Sequence, residues 1–120
     1  EPIAAYYWEP TWLLGMYDMV LLEDEPFDEA TYREGETELP AVKVTVCMSN
    51  SFAEDNPEMV EFLSNYETSS QLTSEALAHM QETGDNYVET AKWFLRENEE
   101  LLDQWLNSED AQTMKDYLNE

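Results

Sequence analysis

Cysteine and glycine are scarce in this sequence. Cys47 is the single cysteine among 120 residues, which excludes an internal disulfide and a cysteine-rich metal site. It lies in an apolar, strand-like pattern, so we expect a buried and inert thiol. The three glycines are isolated from one another, whereas a phosphate-cradling loop needs several close together. Disulfide-stabilised domains, cysteine-metal proteins and P-loop proteins are therefore excluded.

Basic residues and long apolar runs are also lacking. The sequence has five Lys and Arg residues and 28 Asp and Glu residues, which give a formal net charge of -23. Nucleic-acid binding and binding to anionic lipid both need clustered basic side chains, so neither partner is expected. No apolar run approaches the roughly 20 residues that cross a bilayer, so we expect no direct membrane insertion. The acids are scattered through amphipathic segments, a pattern typical of a solvated acidic surface.

Candidate catalytic groups are few. His79 is the single histidine, and its helical pattern holds no second histidine or cysteine, which favours a partly packed structural role. No pair of acids stands out as the two carboxylates of a hydrolase, and no Asp-rich loop has the spacing of a calcium site. We therefore expect a protein that is not an enzyme and has no catalytic residue, metal site or cofactor.

The first 48 residues show strand patterns. The apolar run 3–8 reads as a buried strand that ends before Pro10, which cannot donate to a sheet ladder. Residues 19–22 form a second short apolar run, and residues 42–48 alternate between apolar and polar with period two. A short helical turn is predicted from Thr11 to Tyr17, and the acidic segment 23–39 lacks periodicity and is expected to be irregular.

Helical patterns fill the chain from Asn56 onward. Pro57 suits a first helical position, and Gly84 suits a helix end. Thr68 and Asn86 are expected to cap the second and third helices, and Ser108 to start a last one. The third helix is predicted to be long. Its expected inner face comprises Val88, Ala91, Phe94, Leu95, Leu101, Leu102 and Trp105.

Aromatic residues concentrate near the start of the chain. Trp8 and Glu9 stand at the end of the first predicted strand, where ligands bind in open α/β sheets. An electron-rich ring beside a carboxylate suits an organic cation, because both attract positive charge. Taken from residue types alone, packing in a core is the more common role for such rings.

The same stretch resembles a known family. Four segments carry the likeness in the same order, and together they cover most of the chain. They resemble the C-terminal part of the substrate-binding proteins of glycine betaine/choline-type ABC importers. The segments are 6–23 (YYWEPTWLLGMYDMVLLE), 57–66 (PEMVEFLSNY), 72–77 (LTSEAL) and 89–98 (ETAKWFLREN).

The resemblance implies an α/β fold, part of a two-lobed architecture like that of type II periplasmic binding proteins. Residues 1–40 would belong to the second lobe, and residues 41–120 would supply a strand and the helices that return to the first lobe. The chain would then be a piece of a longer protein. Its implied partners are a small quaternary amine and the permease of an ABC transporter, at an extracytoplasmic location in the periplasm or on a cell-surface lipoprotein.

The resemblance also implies ligand-binding residues. Trp8 matches the tryptophan that forms one wall of the family's aromatic cage, and Tyr7 or Tyr6 would add a second ring. Trp12 either lines the site or anchors the short helix, and Glu9 either contacts the ligand or lies on an exposed rim. Some relatives place a further cage aromatic just after the position of Tyr66, where this chain has Glu67 and Thr68.

An alternative interpretation is a stand-alone acidic domain for protein–protein interaction, whose exposed aromatics bind a partner. An enzyme is a third and weaker alternative. If this piece exists alone, apolar surface that other segments would cover is exposed, and we then expect a homodimer.

Overall fold

The computed structural model describes residues 3–120, so the start of the predicted segment 1–40 lies outside the described residues. The described part is helical. The chain divides into two compact units, the first joining the residues up to Asp18 with Ser49–Glu120 and the second being Met19–Met48. The helices are α1 (Trp12–Met16), a 3₁₀ helix (Tyr32–Glu34), α2 (Asn50–Asp55), α3 (Pro57–Asn65), α4 (Ser70–Thr83), α5 (Tyr87–Glu97), α6 (Glu99–Trp105) and α7 (Ser108–Leu118).

The predicted α/β fold is wrong for this structure. Residues 3–120 contain no β-strand, and the predicted strands 3–8, 19–22 and 42–48 are irregular and largely exposed. A strand is stable only when its backbone N–H and C=O groups pair with a neighbour, and the described residues offer these segments none. Residues 42–48 thus alternate between apolar and polar without forming part of a sheet, and Val44 is 93% exposed.

Local capping signals were predicted well. Asn86 Oδ1 accepts from the backbone N–H of Val88 and Glu89 at 2.9 and 3.1 Å, so it caps α5 as predicted. Gly84 ends α4 with a φ of 76°, a left-handed conformation that glycine adopts without strain. Pro57 begins α3 as predicted. The cap of α4 is Ser69 rather than Thr68, a difference of one residue.

The long third helix was predicted wrongly. It breaks at Asn98, whose φ of -131° and ψ of 49° are not helical and whose side chain donates to the Phe94 carbonyl at 2.8 Å. Separate helices α5 and α6 result. The predicted inner face is correct for Leu101, Leu102 and Trp105, which are buried. It is wrong for Val88 and Ala91, which are exposed, because the first turns of α5 turn the face of Thr90 inward instead.

The densest part of the core lies where the last three helices meet. Leu102, Ala111 and Leu118 are buried together, and Leu95 and Leu106 pack against them. Arg96 Nε donates to the Leu118 carbonyl at 2.6 Å, which satisfies an acceptor at the end of α7. This helical body carries the aromatic segment that precedes α1.

Two further features differ from the sequence predictions. Helix α2 was not predicted; Ser49 caps it by accepting from the Phe52 N–H at 3.2 Å. Cys47 is exposed rather than buried, because the strand that was expected to bury it does not form.

No helix within residues 3–120 is long and apolar enough to cross a membrane.

Candidate ligand-binding site

The aromatic segment before α1 presents its rings to solvent. Trp8 is 71% exposed, and Tyr6 and Tyr7 are exposed as well. The Tyr6 and Trp8 rings stand edge to face, with centroids 6.2 Å apart and planes 76° from parallel. This arrangement is a favourable one for two rings, and it leaves much of the indole free to contact a ligand.

Helix α1 fixes the position of this segment through Thr11. The Thr11 side chain caps α1 by accepting from the Leu13 N–H at 3.4 Å. Its backbone N–H donates to Ser74 Oγ in the middle of α4 at 3.1 Å. Thr11 and Ser74 are only 5% and 3% exposed, so this bond is shielded from competing water. The chain just before α1 is therefore tied to α4.

Gly15 lets α1 approach α4 closely. A Cβ atom at this position would lie 2.4 Å from the Ser74 carbonyl oxygen and 2.7 Å from the Ala78 Cβ. Such distances are shorter than any van der Waals contact, so a side chain cannot fit without moving the helices apart. The small residues at this crossing hold the two helices together and, with them, the aromatic segment.

A shallow depression of about 220 Å³ lies beside the segment. Glu9 lines it together with Leu14 of α1 and Ser70, Gln71 and Ser74 of α4. Glu9 carries the charge here, and the α4 residues add hydroxyl and amide groups. The depression can therefore receive a cationic or hydroxyl-bearing group through Glu9 while the exposed rings offer apolar faces.

The four predicted ligand-binding residues have different surroundings. Glu9 lines the depression, whereas Tyr7 and Trp8 are exposed on the preceding segment. Trp12 is half-buried as the first residue of α1 and does not line the depression. The structure does not enclose all four around one cavity. Their role in ligand binding stays a prediction.

Sequence reasoning missed a cluster of three rings elsewhere. Tyr66 lies 4.7 Å from Trp105 and 6.1 Å from Phe62, measured between ring centroids. Tyr66 follows α3 and Trp105 ends α6, so their proximity depends on how helices pack, which no local pattern encodes. The signal available was an aromatic residue at the end of α6 and directly after the end of α3.

His79 has the structural role that was predicted for it. Its ring stacks on Trp93 with centroids 3.8 Å apart and planes 3° from parallel. Its Nε2 lies 3.3 Å from the Asp85 carboxylate. Packing against α5 and the segment after α4 accounts for this side chain.

Exposed rings beside a carboxylate, held in place by a capped helix, would suit a small cationic ligand. The chain matches the family model described as the substrate binding domain of ABC-type glycine betaine transport systems, over residues 1–97. The chain belongs to this family, as its motifs indicated, and the family is one of transport components and not of enzymes. No curated protein and no solved structure matches the chain.

Proposed function

We propose that this chain helps to capture a quaternary-ammonium solute outside the cytoplasmic membrane and to deliver it to the permease of an ABC importer. Membership of the family supports a substrate-binding role in glycine betaine transport. The same match favours this function over a stand-alone interaction domain. Glycine betaine, choline and carnitine are the candidate solutes.

The observation that carries the proposal is the exposed indole of Trp8, one residue before Glu9 of the depression. A trimethylated nitrogen cannot donate a hydrogen bond, so ring faces and nearby carboxylates are its main contacts. Each ring contributes roughly 0.5 to 2 kcal/mol. Several rings are therefore needed, and Tyr6 or Tyr7 would add to Trp8.

Glu9 bears on which solute is preferred. Glycine betaine and carnitine carry a carboxylate, which a neighbouring Glu9 carboxylate would repel, whereas choline carries a hydroxyl that can donate to it. We therefore propose a preference for choline over the two carboxylated solutes at this part of the site. Replacing Glu9 by Gln should reduce that preference.

The remaining parts of the mechanism are proposals from the resemblance. Residues 1–40 would belong to one lobe and residues 41–120 would return to the other. Closure of two lobes around the solute would bury Trp8 as one wall, with the connection 23–40 near the hinge. Membership of the family supports a binding protein, whereas this division into lobes rests on the resemblance alone.

The test is a calorimetric titration with choline, glycine betaine and carnitine, on this chain and on any longer natural form that contains it. The uncharged isostere 3,3-dimethylbutanol is the reference ligand. Trp8→Ala should weaken choline binding by about two- to thirtyfold, which corresponds to roughly 0.5 to 2 kcal/mol for one lost ring. Tyr87→Ala, which removes an equally exposed ring from α5, should leave it unchanged.

Two results would contradict the proposal. One is equal binding of choline and its uncharged isostere, since cation recognition is the point at issue. The other is unchanged choline affinity in Trp8→Ala. A preference for choline that survives unchanged in Glu9→Gln, or a preference of the natural chain for glycine betaine, would contradict the assignment of Glu9 alone.

A further inference from the structure

A second concave surface is lined mainly by residues of α3, α6 and α7, with Leu95 of α5. We name it the α3/α7 groove. It has a volume of about 350 Å³, and its lining is mainly apolar. The residues that carry the argument are Glu58, Met59, Phe62, Trp105, Asp110 and Met114.

The charged residues of the groove have one sign. Glu58 and Asp110 both line it, and no lysine or arginine does so in the described part of the chain. Both carboxylates lie in first turns, Glu58 in α3 and Asp110 in α7. An occupant therefore meets negative charge at the groove and apolar surface along it.

Aromatic rings form part of the apolar surface. Phe62 and Trp105 both line the groove, and Tyr66 contacts each of them from the side. Trp105 is only 5% exposed. Met59 and Met114 are partly exposed, and their flexible thioethers adapt to occupants of different shape.

We propose that the α3/α7 groove binds a small organic cation with an apolar body. The ammonium group would lie near Glu58 and Asp110, and the body would contact the rings and the two methionines. The volume falls at the lower end of small-molecule pockets, about 300 to 1,000 Å³, which suits one compact ligand better than a helix of a partner protein. The groove shares no lining residue with the depression beside Glu9. It therefore does not depend on the proposed function.

Methyl NMR tests this proposal on the full chain. The six methionines are labelled at the ε-methyl carbon. The chain is titrated with 2-phenylethylammonium and, separately, with 2-phenylethanol, an uncharged ligand of similar shape. The cation should shift Met59 and Met114 in a saturable way and leave the other four as internal controls. The alcohol should bind about tenfold more weakly, given one ring and two exposed carboxylates.

Two variants distinguish the contribution of charge to ligand binding from the contribution of apolar contact. Glu58→Gln should weaken binding of the cation about two- to fivefold and leave the alcohol unaffected, as for an exposed ion pair. Glu61→Gln is the matched control, because Glu61 is exposed on the same helix and does not line the groove. Unchanged shifts of Met16 and Met80 would show that each variant remains folded.

Three outcomes would overturn the proposal. The first is equal affinity for the cation and the alcohol. The second is shifts at the control methionines without shifts at Met59 and Met114. The third is that only a basic amphipathic peptide shifts Met59 and Met114, which would make the groove a protein-binding surface.

Discussion

Gly15 shows how a single position can set the geometry of the site. Its missing side chain allows α1 to contact α4, and Thr11 bonds to Ser74 across the same crossing. The sequence alone shows only an isolated glycine within a short helical pattern. Its partners lie some sixty positions away, and only the folded structure reveals them.

Gly15→Ala is expected to destabilise the protein. On helix propensity alone the change would stabilise α1 by up to about 1 kcal/mol. Against this, the new methyl would lie 2.4 Å from the Ser74 carbonyl oxygen. Overpacking of this kind costs about 1 to 3 kcal/mol, so the free energy of unfolding should fall. Urea denaturation followed by circular dichroism measures it.

The sign of the change in the free energy of unfolding decides this prediction. If Gly15→Ala is as stable as the natural chain, α1 and α4 are not in close contact. Ala53→Ser, a small change on a different helix, controls for general sensitivity to substitution.

Helices and strands of this chain differed in how well they could be predicted. Helix bonds and caps are local, so Pro57, Gly84 and Asn86 marked helix boundaries correctly. A strand depends on a partner that its own sequence does not specify, so the alternation at 42–48 was misleading. The break at Asn98 was missed for a related reason, because the apolar stripe continues through it.

Helix α5 should depend on its cap. Asn86→Ala removes the acceptor for two backbone N–H groups and should lower the free energy of unfolding by about 1 kcal/mol. Asn86→Ser keeps an acceptor and should lose much less. Thermal denaturation compares the three chains. Equal stability of the natural chain and the alanine variant would mean that the cap contributes nothing.

The sequence predicts only the part of the candidate site that lies in one continuous stretch of the chain. Tyr7, Trp8, Glu9 and Trp12 were predicted from one contiguous motif, and their role in ligand binding stays a prediction. The residues that face Glu9 across the depression, Ser70 among them, come from a distant helix. No pattern near the motif indicates them.

The charge of the whole molecule should make its stability depend on salt. With a formal net charge of -23, repulsion among acids opposes compaction. Within residues 3–120, Lys115–Asp103 is the one ion pair that involves a lysine or arginine, and His79 adds a 3.3 Å contact with Asp85. Raising NaCl shortens the Debye length from about 30 Å at 0.01 M to about 3 Å at 1 M, so the melting temperature should rise. Scanning calorimetry over this range tests it.

A melting temperature that falls with NaCl would show that attractive pairs dominate instead. Sucrose at matched osmolality is the control. It does not screen charge, so any rise in melting temperature that it causes measures the general co-solvent effect.

Exposed apolar side chains should also drive self-association. Leu21, Leu22, Val42 and Val44 are largely exposed, as are the rings before α1. Contiguous apolar surface commonly marks an interface, so we expect a concentration-dependent homodimer. Sedimentation velocity in the presence of a thiol reductant measures this. Val42→Lys with Val44→Lys should shift the equilibrium toward monomer.

A monomer at every concentration would refute the expectation of a dimer. A dimer that persists unchanged in the lysine variant would place the interface elsewhere, with the rings before α1 as the next segment to alter.

The exposed thiol of Cys47 offers a practical route to the dynamics of this chain. Since the sequence has one cysteine, a maleimide dye attaches at a single position within the second unit. All four tryptophans belong to the first unit. Resonance energy transfer from indole to a dye on Cys47 would therefore convert any rearrangement of the two units, with or without solute, into an optical signal.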